Sequence, residues 1–233
     1  MKILVINPNT SNAMTEAIAQ ASREVAAPGT EIVAVQPSFG PLSIEGHFDE
    51  AWGAAGVAEQ AHVARAWQPA ATVIACFGDP GLNAAREALQ GPVIGIAEAA
   101  FQAASLVAEG FSVVTTMTRT CGIAEHLVQR YGFEHQCRGV HGTDIAVLKL
   151  EDCPPETVSQ IEDAARDAWR DHGRPGPARI ALRNIALGRA AAAVGQDQVQ
   201  ARGEGSAADA RQNQAGIVVA LCQVIRRGVL GAA

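Results

Sequence analysis

Two patterns of hydrophobic residues alternate along the first part of the chain. Short continuous apolar runs, typical of buried strands, are separated by longer segments whose apolar positions recur every three or four residues, as in helices. Strands are predicted at residues 2–6, 30–35, 71–77, 92–96 and 111–115. Helices are predicted at residues 13–25, 49–67, 82–89, 98–109 and 122–131. This alternation predicts an α/β fold with mostly parallel strands and helices on the sheet faces.

The pattern weakens after Glu134. A strand at residues 145–150 and a helix at residues 156–170 are predicted there. Beyond them, two further helices at residues 180–194 and 217–229 are predicted if the C-terminus is a divergent native sequence.

Three polar loops are expected at one edge of the sheet, because ligands of parallel α/β sheets bind beyond the carboxyl ends of the strands. These loops are residues 7–11, 77–81 and 116–119. The threonines at 115, 116 and 118 form a hydroxyl cluster at this edge, which either holds a carbonyl or carboxylate group or caps the next helix.

Cys76 is the candidate catalytic residue. It ends the most apolar predicted strand and precedes Phe77-Gly78-Asp79-Pro80-Gly81, in which Asp79 is expected to cap the helix that begins next. Free backbone amides and a helix N-terminus lower a thiol pKa, so Cys76 is a candidate base or nucleophile. The alternative interpretation is a cysteine that packs in the core.

Composition excludes several classes of protein. The chain has 233 residues, 48% of them hydrophobic, and a net charge of −6, which does not favour nucleic-acid binding. No apolar run is long enough for a membrane span, and the apolar start is too short for a signal peptide. Five cysteines without a C-x-x-C pair indicate a reducing cytoplasm, and the histidine spacings predict no metal site. No phosphate-binding glycine motif is present, so no nucleotide cofactor is expected.

Several motifs together resemble the hydantoin racemases of the aspartate/glutamate racemase superfamily. The motifs are ILVINPNTS at 3–11, IEGHFDE at 44–50, ACFGDPGL at 75–82 and PVIGIAEAA at 92–100, and the likeness covers about residues 1–170. The resemblance implies two α/β subdomains that face each other across an active-site cleft. It implies an isomerase that racemises small 5-substituted hydantoins or allantoin-like ureides without cofactor or metal, and that forms a homo-oligomer.

The family resemblance also implies the roles of individual residues. One cysteine from each subdomain flanks the acidic C5 carbon; one removes its proton as thiolate, and the other returns a proton to the opposite face as thiol. Cys76 matches the first cysteine. Phe39 is expected to pack against the C5 substituent. The other positions expected to line the site are Asn7, Gly78, Asp79, Thr115 and Thr116.

The resemblance ends where the second cysteine is expected. The family carries it in a Leu-Gly-Cys-Ala motif after a strand that follows the helix at 156–170; this chain has no such motif or recognisable strand there, and Cys222 lies too far along. Residues 174–233 hold eight arginines, no lysine and three acids, a charge of +5 against −11 for the rest. This break indicates either a shifted reading frame after about Trp169 or a divergent C-terminus.

The predicted organisation is a first subdomain at 1–96, a second at 97–173 and an atypical region at 174–233. Two alternatives to a racemase remain because of the missing motif. One is a single-cysteine decarboxylase or isomerase of malonate- or maleate-type acids from the same superfamily, and the other is an inactive homologue that binds a ligand.

Overall fold

The structure is a computed structural model that describes residues 1–152, 154–171 and 179–183. Strands and helices alternate through most of these residues. The strands are β1 (Lys2–Ile6), β2 (Glu31–Val35), β3 (Ala71–Ile74), β4 (Val93–Gly95), β5 (Gly110–Thr115), β6 (Cys137–Gly142) and β7 (Arg179–Arg183). The helices are α1 (Asn12–Val25), α2 (His47–Ala64), α3 (Leu82–Ala88), α4 (Ile96–Val107), α5 (Cys121–Arg130), α6 (Lys149–Asp152) and α7 (Pro155–Asp171), with a 3-10 turn at Thr118–Thr120.

The strands form two parallel sheets. The first has the order β2-β1-β3-β4 and the second β6-β5-β7, and every pairing among these strands is parallel. All residues of β3 and β5 are buried, which explains why both strands are largely apolar in the sequence. The predicted α/β fold with parallel sheets is confirmed.

The strand predicted at residues 145–150 is wrong. The structure has a loop there, followed by α6, and the neighbour of β5 is β6 instead. Ile145 and Leu150 are apolar because they pack with Ile161 in a small cluster. The edge strand β6 (CRGVHG) is only partly buried and carries polar side chains, so it lacks the apolar pattern of a strand.

The helix predicted at residues 180–194 is wrong where the structure describes it. Residues 179–183 form β7, which pairs with β5 along its whole length. A strand therefore follows α7, although the sequence offered no recognisable one. The other predictions for residues 184–233, including the second tail helix and the environment of Cys222, lie outside the described residues.

An aromatic cluster joins the two halves of the chain. Phe101 of α4 stacks on Phe111 of β5, with 5.3 Å between ring centroids, and meets Phe77 edge-on at 5.5 Å. Phe77 is buried in this cluster together with Ile123 of α5. Because Phe77 directly follows Cys76, the loop that carries the cysteine is fixed to the core beneath the second sheet.

Candidate active site

A tight turn after β3 carries the candidate cysteine. The strand ends at Ile74, and the Asp79 amide donates to the Cys76 carbonyl at 3.0 Å to close the turn. The Gly78 backbone N–H donates to the Cys76 sulfur. The predicted amide donor on the thiol is therefore present, and the cysteine lies two residues beyond the strand at the carboxyl edge of the first sheet.

Burial raises the pKa of the Cys76 thiol to about 12, and the negative charges of Asp79 and Glu50 act in the same direction. The Gly78 amide lowers the pKa but does not outweigh them. The expectation of a lowered thiol pKa is thus wrong for this form of the protein. The N-terminus of α3 does not lower the thiol pKa, because this helix begins only at Leu82, six residues after the cysteine.

Asp79 does not cap the helix that follows it; Gly81 is the N-cap of α3, with no side-chain hydrogen bond. The Asp79 carboxylate instead accepts from the first-turn amides of α4, Ala97 N–H at 3.1 Å and Glu98 N–H at 2.9 Å, and from Tyr131 Oη at 2.9 Å. Asp79 is only 3% exposed, and burial raises its pKa to about 6. Its carboxylate oxygens are thus hydrogen-bonded inside the protein.

Asn7 organises the loop after β1. Its side-chain amide donates to Asn9 Oδ1 at 2.8 Å and to Thr15 Oγ1 at 2.9 Å, and its own Oδ1 accepts from the Asn9 backbone N–H at 3.3 Å. The residue is 1% exposed. These bonds fix the path of residues 7–11 beside the turn of Cys76, since β1 and β3 are neighbouring strands.

Thr115 is the last residue of β5 in the second sheet, and Thr116 directly follows it. Their backbone carbonyls accept hydrogen bonds from the segment at 143–145, from Thr143 N–H at 3.0 Å and Ile145 N–H at 3.1 Å respectively. Thr118 donates through both its amide and its hydroxyl to Asp144, at 2.8 and 2.9 Å. The threonine cluster therefore shapes the carboxyl edge of the second sheet.

Phe39 lies against Trp52 of α2, with ring centroids 6.0 Å apart, and Trp52 also meets the exposed Phe48 at 6.5 Å. Trp52 follows Glu50 by two positions, and two positions on an α-helix are about 200° apart around the axis. The Phe39 contact is therefore on the opposite side of α2 from Glu50. Its predicted role against the C5 substituent stays a prediction.

Glu50 is a residue near the cysteine that the sequence did not single out. A Cβ atom placed on Gly78 would lie 3.8 Å from Glu50 Oε1 and 3.7 Å from Ile123 Cγ2. The second carboxylate oxygen, Oε2, is 3.3 Å from His47 Nδ1. The family-like segment at 44–50 contained Glu50, and that was the available signal. One carboxylate oxygen thus faces the turn of Cys76.

The same segment joins the two sheets through Glu45. Its Oε2 lies 3.1 Å from Arg119 Nη2, its backbone carbonyl accepts from Arg119 Nε, and its Oε1 accepts from the Val147 amide at 3.0 Å. Arg119 and Val147 both follow β5. The loop before α2 therefore reaches across to the carboxyl edge of the second sheet.

The other described cysteines lie in different surroundings. Cys121 begins α5, and burial with the nearby acids Glu125 and Asp144 raises its thiol pKa. Cys137 begins β6, where burial also raises its thiol pKa. In the part of the chain that the structure describes, no group of three or more His, Cys, Asp or Glu side chains could hold a metal ion. No helix in that part is both long and apolar enough to cross a membrane.

Comparison with known proteins identifies the family of the chain. The sequence profile of the family described as Asp/Glu/Hydantoin racemase matches residues 3–176. A hydantoin racemase of Pseudomonas sp. (strain NS671) is 42% identical over 168 residues, which are 72% of this chain and 68% of the relative. The solved allantoin racemase from Klebsiella pneumoniae is 43% identical, with a TM-score of 0.81, and the match covers 100% of this chain and 89% of that one.

The fold, with a cysteine turn at the edge of a parallel sheet, is that of a racemase-type α/β enzyme. The chain belongs to the Asp/Glu/hydantoin racemase family, and its enzyme class is isomerase. The solved maleate isomerase from Pseudomonas putida S16 has a TM-score of 0.62 at 17% identity, covering 95% of this chain and 93% of that one, and shares the fold. Members of this family act on small molecules.

Proposed function

We propose that the protein racemises 5-substituted hydantoins or allantoin-like ureides by proton transfer at C5, with Cys76 as an acid/base residue. The observation that carries this proposal is the position of Cys76: it lies at the carboxyl edge of the first sheet, in a closed turn, with the Gly78 N–H on its sulfur. Relatives named hydantoin racemase and allantoin racemase, at 42% and 43% identity, support this substrate class.

The chemistry needs no electron transfer. The C5–H bond breaks and its electron pair delocalises into the neighbouring ring carbonyl, while a base takes the proton. A new C5–H bond then forms on the opposite face with a proton from an acid. Because its pKa is raised, Cys76 is a thiol at neutral pH and is therefore suited to the acid role in the free protein. We propose that no metal or cofactor takes part.

The chain lacks the Leu-Gly-Cys-Ala motif that carries the second cysteine in the family. With one cysteine, Cys76 must first ionise; its thiolate can then remove the C5 proton, and the resulting thiol can exchange that proton with water and return one to the same face. Inversion requires a second group on the far side. We therefore propose that exchange of the C5 hydrogen with solvent is faster than racemisation in this protein.

A second candidate is a single-cysteine decarboxylase or isomerase of malonate- or maleate-type acids, favoured by the missing motif. The charges near Cys76 argue against it. Asp79 and Glu50 are the two charged groups that shift its thiol pKa among the described residues, and both are acidic. A dianionic substrate would be repelled here, while a neutral ureide ring offers N–H donors to an acidic acceptor.

Further properties follow the family. We propose a homo-oligomer in the cytoplasm, with a small-molecule substrate and without nucleic-acid or membrane partners. The first subdomain would carry Cys76, and the second would close the cleft with Thr115 and Thr116.

The test measures optical rotation and C5 deuterium uptake of a 5-substituted hydantoin and of allantoin in buffer without added cofactors. Wild type is expected to exchange C5 hydrogen, and Cys76→Ser to lose exchange and racemisation together. Cys121, a second partly buried thiol at the start of α5, gives the matched control: Cys121→Ser keeps both activities. Ligand binding without exchange would indicate the inactive homologue, and CO2 release from an arylmalonate would indicate the second candidate.

A further inference from the structure

The turn of Cys76 contains a residue in an unusual conformation. Asp79 has a φ of +44°, in the left-handed region that few residues other than glycine adopt. Such a backbone conformation costs about 1 kcal/mol or more and persists only where the surroundings impose it. The surroundings of the Asp79 side chain are therefore the place to look for what holds the turn.

Three hydrogen-bond donors from two elements converge on that side chain. Two donors, the backbone N–H groups of Ala97 and Glu98, belong to the first turn of α4. The third is the hydroxyl of Tyr131, the residue that follows α5 in the second half of the chain. The N-terminal amides of a helix have no partners within the helix and carry partial positive charge, which favours an ionised acceptor. The carboxylate thus caps α4 from a distance of 18 residues in the sequence.

The backbone of Gly95 packs directly against the remaining side of the Asp79 carboxylate. A Cβ atom on Gly95 would lie 2.1 Å from Asp79 Cγ, so only glycine at that position admits the side chain. The carboxylate consequently has one position, between the end of β4, the start of α4 and Tyr131.

The backbone of the turn is tied to this fixed side chain. The Asp79 amide donates to the Cys76 carbonyl, and the Gly78 amide, one residue earlier, donates to the Cys76 sulfur. If Asp79 shifts, the Gly78 peptide and the sulfur must shift with it. We propose that Asp79 is a positioning residue, which fixes the Cys76 sulfur relative to both sheets through α4 and Tyr131 and does not touch the substrate.

This inference rests on the proposed role of Cys76 and adds a residue that acts through it. An asparagine at position 79 would offer one acceptor oxygen and an NH2 group to three donors, so at least one of them would lose its partner. Phenylalanine at position 131 would remove one donor and leave the Asp79 charge in place. Asp79→Asn changes both the hydrogen bonds and the charge, whereas Tyr131→Phe removes one hydrogen bond and keeps the charge. Comparing the two variants therefore separates the effect of the hydrogen bonds from that of the charge.

The experiment compares wild type with Asp79→Asn, Tyr131→Phe and the control Glu98→Gln. Glu98 lies on the same helix turn. Its backbone N–H donates to Asp79, while its side chain pairs with Arg86 and its charge contributes to the raised pKa of Asp79. We expect kcat for C5 exchange to fall about tenfold in Asp79→Asn and about threefold in Tyr131→Phe, with KM within about twofold of wild type. Glu98→Gln changes a charge near Asp79 but keeps all three hydrogen-bond donors to its carboxylate, so it should keep both constants if Asp79 acts by anchoring.

Amide hydrogen exchange gives a measurement that does not depend on activity. We expect faster exchange in a peptide spanning residues 76–81 in both network variants, with unchanged exchange in a β1–β2 peptide, which shows that the fold is retained. If wild type acts on no hydantoin, the proposed function fails, while this measurement still decides whether Asp79 holds the turn.

Three results would overturn the inference. A raised KM at unchanged kcat would make Asp79 a substrate contact. A raised kcat in Asp79→Asn would mean that Asp79 acts on Cys76 only by charge repulsion. Unchanged exchange at residues 76–81 in both network variants would show that the network does not hold the turn.

Discussion

Glu50 directs one carboxylate oxygen at Gly78, the residue whose backbone N–H is bound to the catalytic candidate's sulfur. Its Oε1 lies 3.8 Å from the position that a Gly78 Cβ would occupy, and its charge raises the pKa of the Cys76 thiol. The amide and the carboxylate therefore act on the same sulfur with opposite signs. Burial makes the largest contribution to the raised thiol pKa, and the Gly78 amide and the Glu50 charge adjust it in opposite directions.

Replacement of Glu50 by Gln should lower the thiol pKa of Cys76, because it removes a negative charge and leaves the Gly78 amide in place. Alkylation by iodoacetamide proceeds through the thiolate, so its rate below the pKa rises as the pKa falls. We expect Glu50→Gln to be alkylated at Cys76 about three to ten times faster than wild type at pH 8. Mass spectrometry of the peptide that contains Cys76 measures this rate separately from the other cysteines.

Glu59→Gln is the matched control for that measurement. Glu59 lies on the same helix, but its carboxylate binds Ser38 and is not among the groups that shift the Cys76 pKa. Its replacement should leave the alkylation rate unchanged. An unchanged rate in Glu50→Gln would show that the Glu50 charge does not reach the sulfur.

Asp79 should make stability fall as pH rises through its titration. Desolvation by burial, with the neighbouring charge of Glu98, raises its pKa to about 6, above the ordinary value of 3.8. Between these values the folded state holds a proton that the unfolded state has released, so the free energy of unfolding decreases from about pH 4 to about pH 6. The expected size is about 3 kcal/mol at most.

The contribution of Asp79 is measured as a difference between wild type and Asp79→Asn in urea unfolding at pH 4 and pH 7. This subtraction matters because Glu59 and Asp144, whose pKa values are lowered by hydrogen bonds from Ser38 and Thr118, act in the opposite direction. Asp79→Asn should lose less stability than wild type on going from pH 4 to pH 7. An equal loss in the two proteins would contradict the raised pKa.

The strands that are buried on both faces could be predicted from the sequence. Nearly all residues of strands β1, β3 and β5 are buried, so each strand is largely apolar in the sequence. The edge strand β6 was missed because its residues are partly exposed and include Arg138, His141 and two glycines. The apolar residues at 145 and 150 gave a false strand because a loop and a short helix bury them in one cluster.

Site residues could be predicted where neighbouring residues in the sequence indicate their role. They could not be predicted where the role depends on contacts between residues far apart in the sequence. A cysteine between a buried strand and a glycine-containing turn indicated Cys76. The partners of Asp79 could not be found in that way, because Ala97, Glu98 and Tyr131 lie 18, 19 and 52 residues away in the sequence. The sign of the Cys76 pKa shift depended on the burial of its thiol, with smaller contributions from the charges of Asp79 and Glu50, and only the fold determines these surroundings.

The sequence after about Trp169 leads to a prediction about the gene. An arginine-rich, lysine-free tail without aromatic residues is expected when a GC-rich gene is translated out of frame. Resequencing the gene and shifting the reading frame after the codon for about Trp169 should then restore a Leu-Gly-Cys-Ala motif downstream of that codon. If no frame contains that motif, the C-terminus is a divergent native sequence, and the missing second cysteine is a property of the enzyme itself.

Gly95→Ala and Gly122→Ala should change stability in opposite directions. A methyl group on Gly95 would overlap Asp79 at 2.1 Å from Cγ, and Asp79 cannot withdraw without breaking its bonds to α4 and Tyr131. We expect a loss of about 2–4 kcal/mol in the free energy of unfolding. Gly122 lies in α5 with nothing within 4 Å of its Cβ position, so alanine there should stabilise the protein by about 0.5–1 kcal/mol.

Urea unfolding of the two glycine variants against wild type measures both effects. The comparison separates the steric demand of the Asp79 site from the general effect of adding a methyl group to a glycine. Because Gly95→Ala displaces the Asp79 carboxylate while every hydrogen-bonding group remains in the chain, it should also speed amide exchange at residues 76–81. A Gly95→Ala protein as stable as wild type would mean that the carboxylate has another place to go, and the fixed position of the Cys76 turn would lose its physical basis.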